Sequence, residues 1–396
     1  MVTSPRGGHR GMLGSESAPM KSKVWLIAAV VLLVSSARAQ SLVYSLCYSE
    51  TQATRQMRYP NGALGASTHD KLAMLRGCRK NEIYAVSLEG KRSLLFSDEG
   101  LDLEVRAPGT VLGDKAYVTG IVREWRSSPI PGANEEPAAT YEVSLDGSGR
   151  VRRMFDAPAQ AQPMLLNRQG TRAAIQSFDG EKYMVTIYDV PSWKQTARWE
   201  LMKALAKQCG GCTPVSYGWM ADGLRLFFNL TTVGDEEAPE DNPGIYFIGV
   251  DGLVTGRVEP GAGQMEIDGY VHPEFAWRNL VAELADGSYV YEDYVAHSTQ
   301  RGKAHSFVVI VSPDRKQQRA FPVRSRATSY RVARSGRYIA YIEERQTRQY
   351  QTERHVWAVD LDSGAETELF AVPPPQPPTS LQENVALTVF GWIGDK

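Results

Sequence analysis

Two cysteines separated by two glycines, Cys209-Gly210-Gly211-Cys212, have the spacing used by thiol oxidoreductases and by zinc knuckles. A redox pair is activated at the start of a helix, where the helix dipole lowers the thiol pKa. Here a helix-like stretch, 200–208, precedes the pair, and the glycines are typical of a helix end. No second pair completes a zinc site, and Thr213 replaces the histidine of c-type haem attachment. The sequence therefore predicts a disulfide that clips a loop.

The amino-terminal region predicts export, which favours that interpretation. A short basic segment, an apolar run at 24–34 and small residues ending at Ala39 are typical of a secretory signal peptide. We predict Met20 as the start and cleavage after Ala39, so that 1–39 is a signal peptide with an upstream extension. Residues 40–396 are then one periplasmic or secreted domain, which we expect not to span a membrane because no later apolar run is long enough.

Charge argues against two classes of partner. The chain has 44 lysines and arginines against 45 aspartates and glutamates, so nothing global favours nucleic acid or an anionic membrane surface. Basic residues between 315 and 337 alternate with apolar ones, which is typical of an exposed strand face.

One hairpin recurs along the chain: an apolar alternating run, a tight turn and a second run. Most of the turns contain Asp-Gly or a similar pair, because a tight hairpin needs a positive φ. The six clear copies are 83–96, 140–155, 187–199, 245–258, 307–321 and 356–370.

A second recurring piece, strand, turn and strand, lies between these hairpins, as in 163–178, 215–230 and 329–344. Together the two pieces form an antiparallel, four-stranded unit, and repeats of this length are typical of the blades of a β-propeller. The predicted fold class is therefore all-β, a single propeller. Adding 43–57 as a further hairpin favours seven blades, with six or eight also open.

Ring closure is predicted from the two ends. Residues 386–395 match an inner strand with no hairpin after it, whereas the chain after residue 40 opens on outer strands. Pairing of the N- and C-terminal strands in one shared blade would remove the exposed sheet edges. Within this ring, Cys47 and Cys78 are a further candidate disulfide, which would link the first two predicted blades.

The inner turn Ser335-Gly336-Arg337-Tyr338-Ile339-Ala340, followed by 356–364 (VWAVDLDSG), resembles the WD-repeat-like propeller repeat of TolB-type periplasmic proteins. The same repeat occurs beside the hydrolase domain of prolyl oligopeptidase-like enzymes. The resemblance extends over about residues 43–395 and implies a propeller fold, since short repeats of this kind specify a fold rather than a function.

With strands lettered a to d from the centre outwards, the a–b and c–d turns are short, whereas the b–c and d–a connections are long and varied. All long connections would then lie on one face, the candidate binding face. It carries Trp125 in 123–139 and two histidines, His297 and His305, as a local pair. An acidic loop could hold calcium, although a solvated loop is favoured because it lacks a regular calcium motif. The acidic residues are Asp235, Glu236, Glu237, Glu240 and Asp241.

No linear catalytic motif is present: there is no Gly-x-Ser-x-Gly elbow, His-Glu-x-x-His or phosphate loop. We therefore predict a monomeric, non-enzymatic propeller without cofactor that binds a protein or cell-envelope component through the long b–c and d–a loops. The alternative is a propeller enzyme, such as a lyase, lactonase or glycoside-active protein, with its site at the central channel. The propeller half of a split hydrolase is a further alternative.

Overall fold

Six four-stranded antiparallel sheets follow one another along the part of the chain described by the computed structural model. This part comprises residues 40–52, 80–99, 101, 103–122, 139–157, 162, 164–209, 211–232, 243–258, 265–267, 270–272, 278–295, 305–314, 316, 318–324, 327–346, 352–372 and 381–394. Each sheet is one blade, and the innermost strand of every blade lines a common central cavity. The fold is therefore a six-bladed β-propeller.

Blades 1 to 3 contain strands β4 to β15. Blade 1 consists of β4 Leu103–Leu112, β5 Lys115–Val122, β6 Ala139–Ser144 and β7 Val151–Asp156. Blade 2 consists of β8 Leu165–Leu166, β9 Arg172–Phe178, β10 Tyr183–Asp189 and β11 Gln195–Glu200. Blade 3 consists of β12 Cys212–Trp219, β13 Arg225–Thr232, β14 Gly244–Gly249 and β15 Val254–Val258, and a short helix, α1 Leu201–Leu205, precedes it.

Blades 4 to 6 complete the ring, and a small hairpin, β16 Met265–Ile267 with β17 Tyr270–His272, lies between blades 3 and 4 in the chain. Blade 4 consists of β18 Arg278–Glu283, β19 Tyr289–Val295, β20 His305–Val311 and β21 Gln318–Val323. Blade 5 consists of β22 Ala327–Val332, β23 Tyr338–Gln346, β24 Thr352–Asp360 and β25 Glu366–Val372. Blade 6 consists of β26 Leu381–Ile393, β1 Ser41–Gln52, β2 Lys80–Ser87 and β3 Arg92–Ser97.

Blade 6 closes the ring, because its inner strand comes from the end of the described chain and its three outer strands from the beginning. β1 pairs with β26 along its whole length, from Ser41 opposite Ile393 to Gln52 opposite Leu381. Predicted closure by the N- and C-terminal strands is therefore confirmed.

The blade count is six rather than the favoured seven. All six predicted hairpins are the c and d strands of a blade, as expected. The segment 43–57 is not a seventh hairpin: β1 is the b strand of blade 6, and the hairpin of β2 and β3 belongs to the same blade. We expected the amino-terminal segment to contribute only a hairpin to the shared blade, whereas it contributes three strands, β1, β2 and β3.

The core lies between blades, where apolar side chains of adjacent sheets interdigitate. One cluster joins blades 5 and 6 around Tyr44, which is fully buried and stacks on Phe370 with ring centroids 4.2 Å apart. Aromatic packing also joins blades 1 and 2, where the ring of Trp193 packs on that of Tyr117 with centroids 4.8 Å apart. Burial of such aromatic surface holds the blades together.

The tight turns share one face of the ring. In blade 5, the amide of Leu361 in the c–d turn donates to the carbonyl of Arg337 in the a–b turn at 2.7 Å, and Arg337 forms an ion pair with Asp360 at 3.0 Å. The equivalent amide-to-carbonyl bonds in other blades join Leu145 to Asp114, Val190 to Thr171 and Val250 to Leu224. The antiparallel strand order then puts every b–c and d–a connection on the opposite face.

Candidate functional site

A cavity of about 230 Å³ lies where the six inner strands meet. Every blade contributes residues to its wall, chiefly from the carboxyl-terminal ends of the inner strands and the a–b turns that follow them. The cavity therefore lies in the half of the channel next to the tight turns. Cavities at the centre of ring-shaped folds are common positions of ligand sites.

Arg331, on β22 of blade 5, is a half-buried cation in the wall of this cavity. It lies deep in the ring, and part of its surface stays accessible because it lines the cavity. Its Nη1 donates to the carbonyl oxygen of Tyr330 at 2.8 Å. Among the described residues no carboxylate forms an ion pair with it, and burial lowers the pKa of its guanidinium while the Tyr217 hydroxyl acts in the opposite direction.

Tyr217, on β12 of blade 3, lies across the inner edge of blade 2. Its hydroxyl accepts a hydrogen bond from the amide of Gln176 at 3.2 Å and donates to the carbonyl of Ala174 at 3.3 Å. Both partners are on β9, whose inner neighbour β8 is only 2 residues long. Burial raises the pKa of Tyr217, whereas the Gln176 amide and the charge of Arg331 act to lower it.

Two tryptophans fix the wall of the cavity between blades. Trp219 Nε1 donates to the carbonyl of Leu165 in blade 2 at 2.9 Å, and Trp392 Nε1 donates to the carbonyl of Arg331 in blade 5 at 3.0 Å. Each occupies the same place in a Gly-Trp pair near the end of an inner strand. Trp219 thus joins blade 3 to blade 2.

The charged side chains that line the cavity are mostly positive. Three arginines, Arg168, Arg331 and Arg334, and one glutamate, Glu283, belong to it. The carboxylate of Glu283 accepts a hydrogen bond from the amide of Ala221 at 2.8 Å, which links blades 3 and 4. The described wall therefore has excess positive charge, and its one acidic side chain already serves a structural contact.

This arrangement suits binding better than acid–base chemistry. General acid–base catalysis needs titratable groups free to exchange protons with a substrate, and the described wall offers three arginines and the engaged Glu283. No cluster of three or more metal-ligating side chains occurs among the described residues. The arginines, in contrast, are well suited to hold an oxyanion.

The predicted binding residues of the loop face lie outside the described residues: Trp125, Asp235, Glu236, Glu237, Glu240, Asp241 and His297. The structure places His305 at the start of β20. Their role in binding stays a prediction, as does calcium at 235–241.

The Cys209–Cys212 disulfide is confirmed, with Cα atoms 5.5 Å apart. It directly follows α1 on the connection between blades 2 and 3, and both cysteines are buried in the same apolar cluster as Leu201 and Leu205. The pair thus acts as a clip on a d–a connection. Cys47 is disulfide-bonded as well, whereas its predicted partner, Cys78, lies outside the described residues.

Sequence reasoning missed Arg331 and Tyr217. We interpreted Arg331 as part of an exposed basic strand face, which is wrong, because β22 is an innermost strand and this side chain enters the channel. Alternation distinguishes the two faces of a strand, but it carries no information about which strand faces the centre of a ring. The available signal was the position of Arg331 near the end of an inner strand, two residues before the tight turn at 333–337.

Several solved structures are similar to this chain in fold, although their sequence identity to it is low. No protein-family model matches the chain, and no curated protein matches it in sequence. Similar solved structures include a putative TolB from Agrobacterium tumefaciens, with a TM-score of 0.42 and 13% identity, covering 88% of this chain and 99% of that one. TolB from Acinetobacter baumannii has a TM-score of 0.39 and 10% identity, over 74% of this chain and 84% of that one.

A puromycin-hydrolyzing peptidase of Mycobacterium tuberculosis is also similar, with a TM-score of 0.41 and 12% identity, over 74% of this chain and 44% of that one. The six-bladed fold of this chain follows from its own strand pairing. The described part of the chain contains no helix with the length and apolarity needed to cross a membrane.

Proposed function

We propose that this protein is an exported, non-enzymatic β-propeller that binds a protein or a cell-envelope component through its b–c and d–a connections. One observation carries the proposal: the strand order collects these connections on one face of the ring, and the tight turns occupy the other. Binding residues are commonly found on connections that a rigid scaffold positions. We call the face of the b–c and d–a connections the loop face.

The scaffold beneath the loop face has the rigidity that such a role requires. Pairing of β1 with β26 closes the ring, and side-chain bonds link neighbouring blades, as between Asn229 in blade 3 and Leu280 in blade 4 at 2.9 Å. A buried disulfide fixes the connection into blade 3. Disulfides of this kind are usual in exported proteins and support the proposed compartment.

The experiment is affinity capture from a cell-envelope extract, with the full chain as bait and matched variants of both faces. Trp125→Ala and the combined acidic changes at Asp235, Glu236, Glu237 and Asp241 alter the loop face. Glu89→Gln alters an exposed residue of a tight turn and serves as the control.

We expect the unaltered chain and the control to capture the same partner in equal amounts. The loop-face variants should bind it about tenfold more weakly or worse, which corresponds to a loss of roughly 1.4 kcal/mol in binding free energy. Loss of capture in the Glu89→Gln control with retention in both loop-face variants would contradict the proposal. So would turnover of a small substrate by the pure protein.

A further inference from the structure

We propose that the central cavity is a second binding site, distinct from the loop face, and that it holds a small organic carboxylate on the guanidinium of Arg331. The cavity is walled by the inner strands and the a–b turns, whereas the loop face lies at the other ends of those strands. The two sites therefore belong to opposite halves of the channel.

Arg331 belongs to the wall of the central cavity. Arg331 is on blade 5 and Tyr217 on blade 3, two blades apart, yet each acts on the pKa of the other. Both residues line the cavity, on inner strands that blade 4 separates along the ring. Arg331 is thus presented to any molecule that occupies the cavity.

The positive charge of Arg331 lacks a described counter-ion. Among the described residues its guanidinium donates, through Nη1, to the uncharged carbonyl of Tyr330, and no described carboxylate pairs with it. Partial removal of a cation from water without an anion beside it carries a free-energy cost. An arginine fork binds a carboxylate through two parallel hydrogen bonds, so a carboxylate ligand would supply the missing partner.

The rest of the wall selects for an anion. Arg168 and Arg334 add positive charge, and Glu283 is held by the amide of Ala221. A cation would meet three arginines at this site and is disfavoured. The excess positive charge of the described wall therefore also favours an anionic ligand beside Arg331.

Size and apolar surface restrict the ligand further. A volume of about 230 Å³ is below the usual range for drug-sized ligands, roughly 300–1,000 Å³. Tyr217, Trp219 and Trp392 give the wall aromatic surface. We therefore infer a compact organic acid with an apolar body.

The test measures binding of benzoate to the full chain by calorimetry and by the fluorescence of its tryptophans, with benzamide as the neutral probe and inorganic phosphate as a plain oxyanion. We expect saturable binding of benzoate, at least tenfold weaker binding of benzamide, and a rise in melting temperature with benzoate alone. Ligand binding to the folded state stabilises it, which makes the melting temperature an independent readout.

Two variants and a control assign the site. Arg331→Gln should weaken benzoate binding at least tenfold. Arg331→Lys should weaken it less, because lysine keeps the positive charge although it cannot form the two parallel hydrogen bonds of a guanidinium. Arg150→Gln, in an exposed turn of blade 1, should bind as the unaltered protein does.

The unliganded Arg331→Gln variant supplies a second criterion. Because it removes a charge without a described partner, its melting temperature should equal or exceed that of the unaltered protein. A large fall would show that Arg331 serves a structural ion pair and would overturn the proposal. Equal binding of benzoate by Arg331→Gln, binding of phosphate without benzoate, or no benzoate binding by the folded protein would also overturn it. Capture through the loop face should persist in Arg331→Gln, so the two proposals fail separately.

Discussion

The hydroxyl of Tyr217 donates a hydrogen bond to the carbonyl oxygen of Ala174 at 3.3 Å, although the two residues belong to different blades. The same hydroxyl accepts from the amide of Gln176 at 3.2 Å. The register of β8 with β9 includes Ala173 and Ala174 but not Gln176, so a side chain from blade 3 supplies a partner for the Gln176 amide at the inner edge of blade 2. The channel wall therefore also joins the two blades.

Tyr217→Phe should lower the free energy of unfolding by about 1–3 kcal/mol, since it removes both hydrogen bonds of the hydroxyl to the backbone of blade 2 while keeping the ring. Urea denaturation measures the loss. Tyr183→Phe is the matched control, because Tyr183 packs through its ring on Phe178 at 4.8 Å. An equal effect of the two changes would show that the hydroxyl of Tyr217 contributes nothing specific.

Trp392→Phe should destabilise the ring at its closure. The indole of Trp392 donates to the carbonyl of Arg331 and is packed against Tyr338, with ring centroids 5.9 Å apart. Loss of the donor alone should cost about 1 kcal/mol, and the smaller ring should add to it. Thermal denaturation checks the effect.

Trp219→Phe removes the equivalent hydrogen bond between blades 2 and 3, from the indole of Trp219 to the carbonyl of Leu165. We expect a loss of similar size, because both indoles join neighbouring inner strands. An unchanged melting temperature in both variants would contradict a role for these indoles in blade packing.

Replacing both Cys209 and Cys212 by alanine should lower the free energy of unfolding by about 2 kcal/mol, the chain-entropy value for so short a loop. The cysteines are separated by 3 positions and are buried against α1. Chemical denaturation of the double variant measures the loss, and mass spectrometry under non-reducing conditions verifies the bond in the unaltered protein. Free thiols at both positions in oxidised protein would contradict the structural role.

Glu292 gives a pH dependence of defined sign. Burial raises the pKa of this carboxyl above its usual value, although a hydrogen bond from Asn279 Nδ2 at 2.8 Å acts to lower it. The folded state then binds the proton more tightly than the unfolded state, so the contribution of Glu292 to stability is greatest at low pH. It falls as the pH rises from the ordinary glutamate pKa through the raised one.

Glu292→Gln should therefore stabilise the protein at neutral pH, where the native carboxyl pays the cost of ionisation, and the gain should shrink near pH 4. The amide oxygen of glutamine can still accept from Asn279. Urea denaturation at the two pH values measures the difference, with exposed Glu181→Gln as the control. A variant that is less stable at neutral pH, or a gain that grows in acid, would contradict the raised pKa.

Local pattern was sufficient for much of this fold. The alternating runs and the tight turns between them located all six outer hairpins, because the period of a strand and the backbone geometry of a tight turn are local properties. In the c–d turns, for example, Gly252 has φ 84° and Gly364 has φ 75°. Cys209 and Cys212 were assigned to a structural disulfide for a similar reason, since the preceding helix and the intervening glycines are adjacent in the chain.

The blade count and the cavity needed the folded ring. Whether β1 begins a blade of its own or joins β2 and β3 depends on its pairing with β26, more than 300 positions away, and no local pattern records that partner. Arg331 likewise looks like any arginine of an alternating strand until six inner strands converge and bring it opposite Tyr217. Hairpins follow from contacts between neighbours in sequence, whereas a central cavity follows from contacts between residues that are distant in sequence, and these arise when the sheets pack.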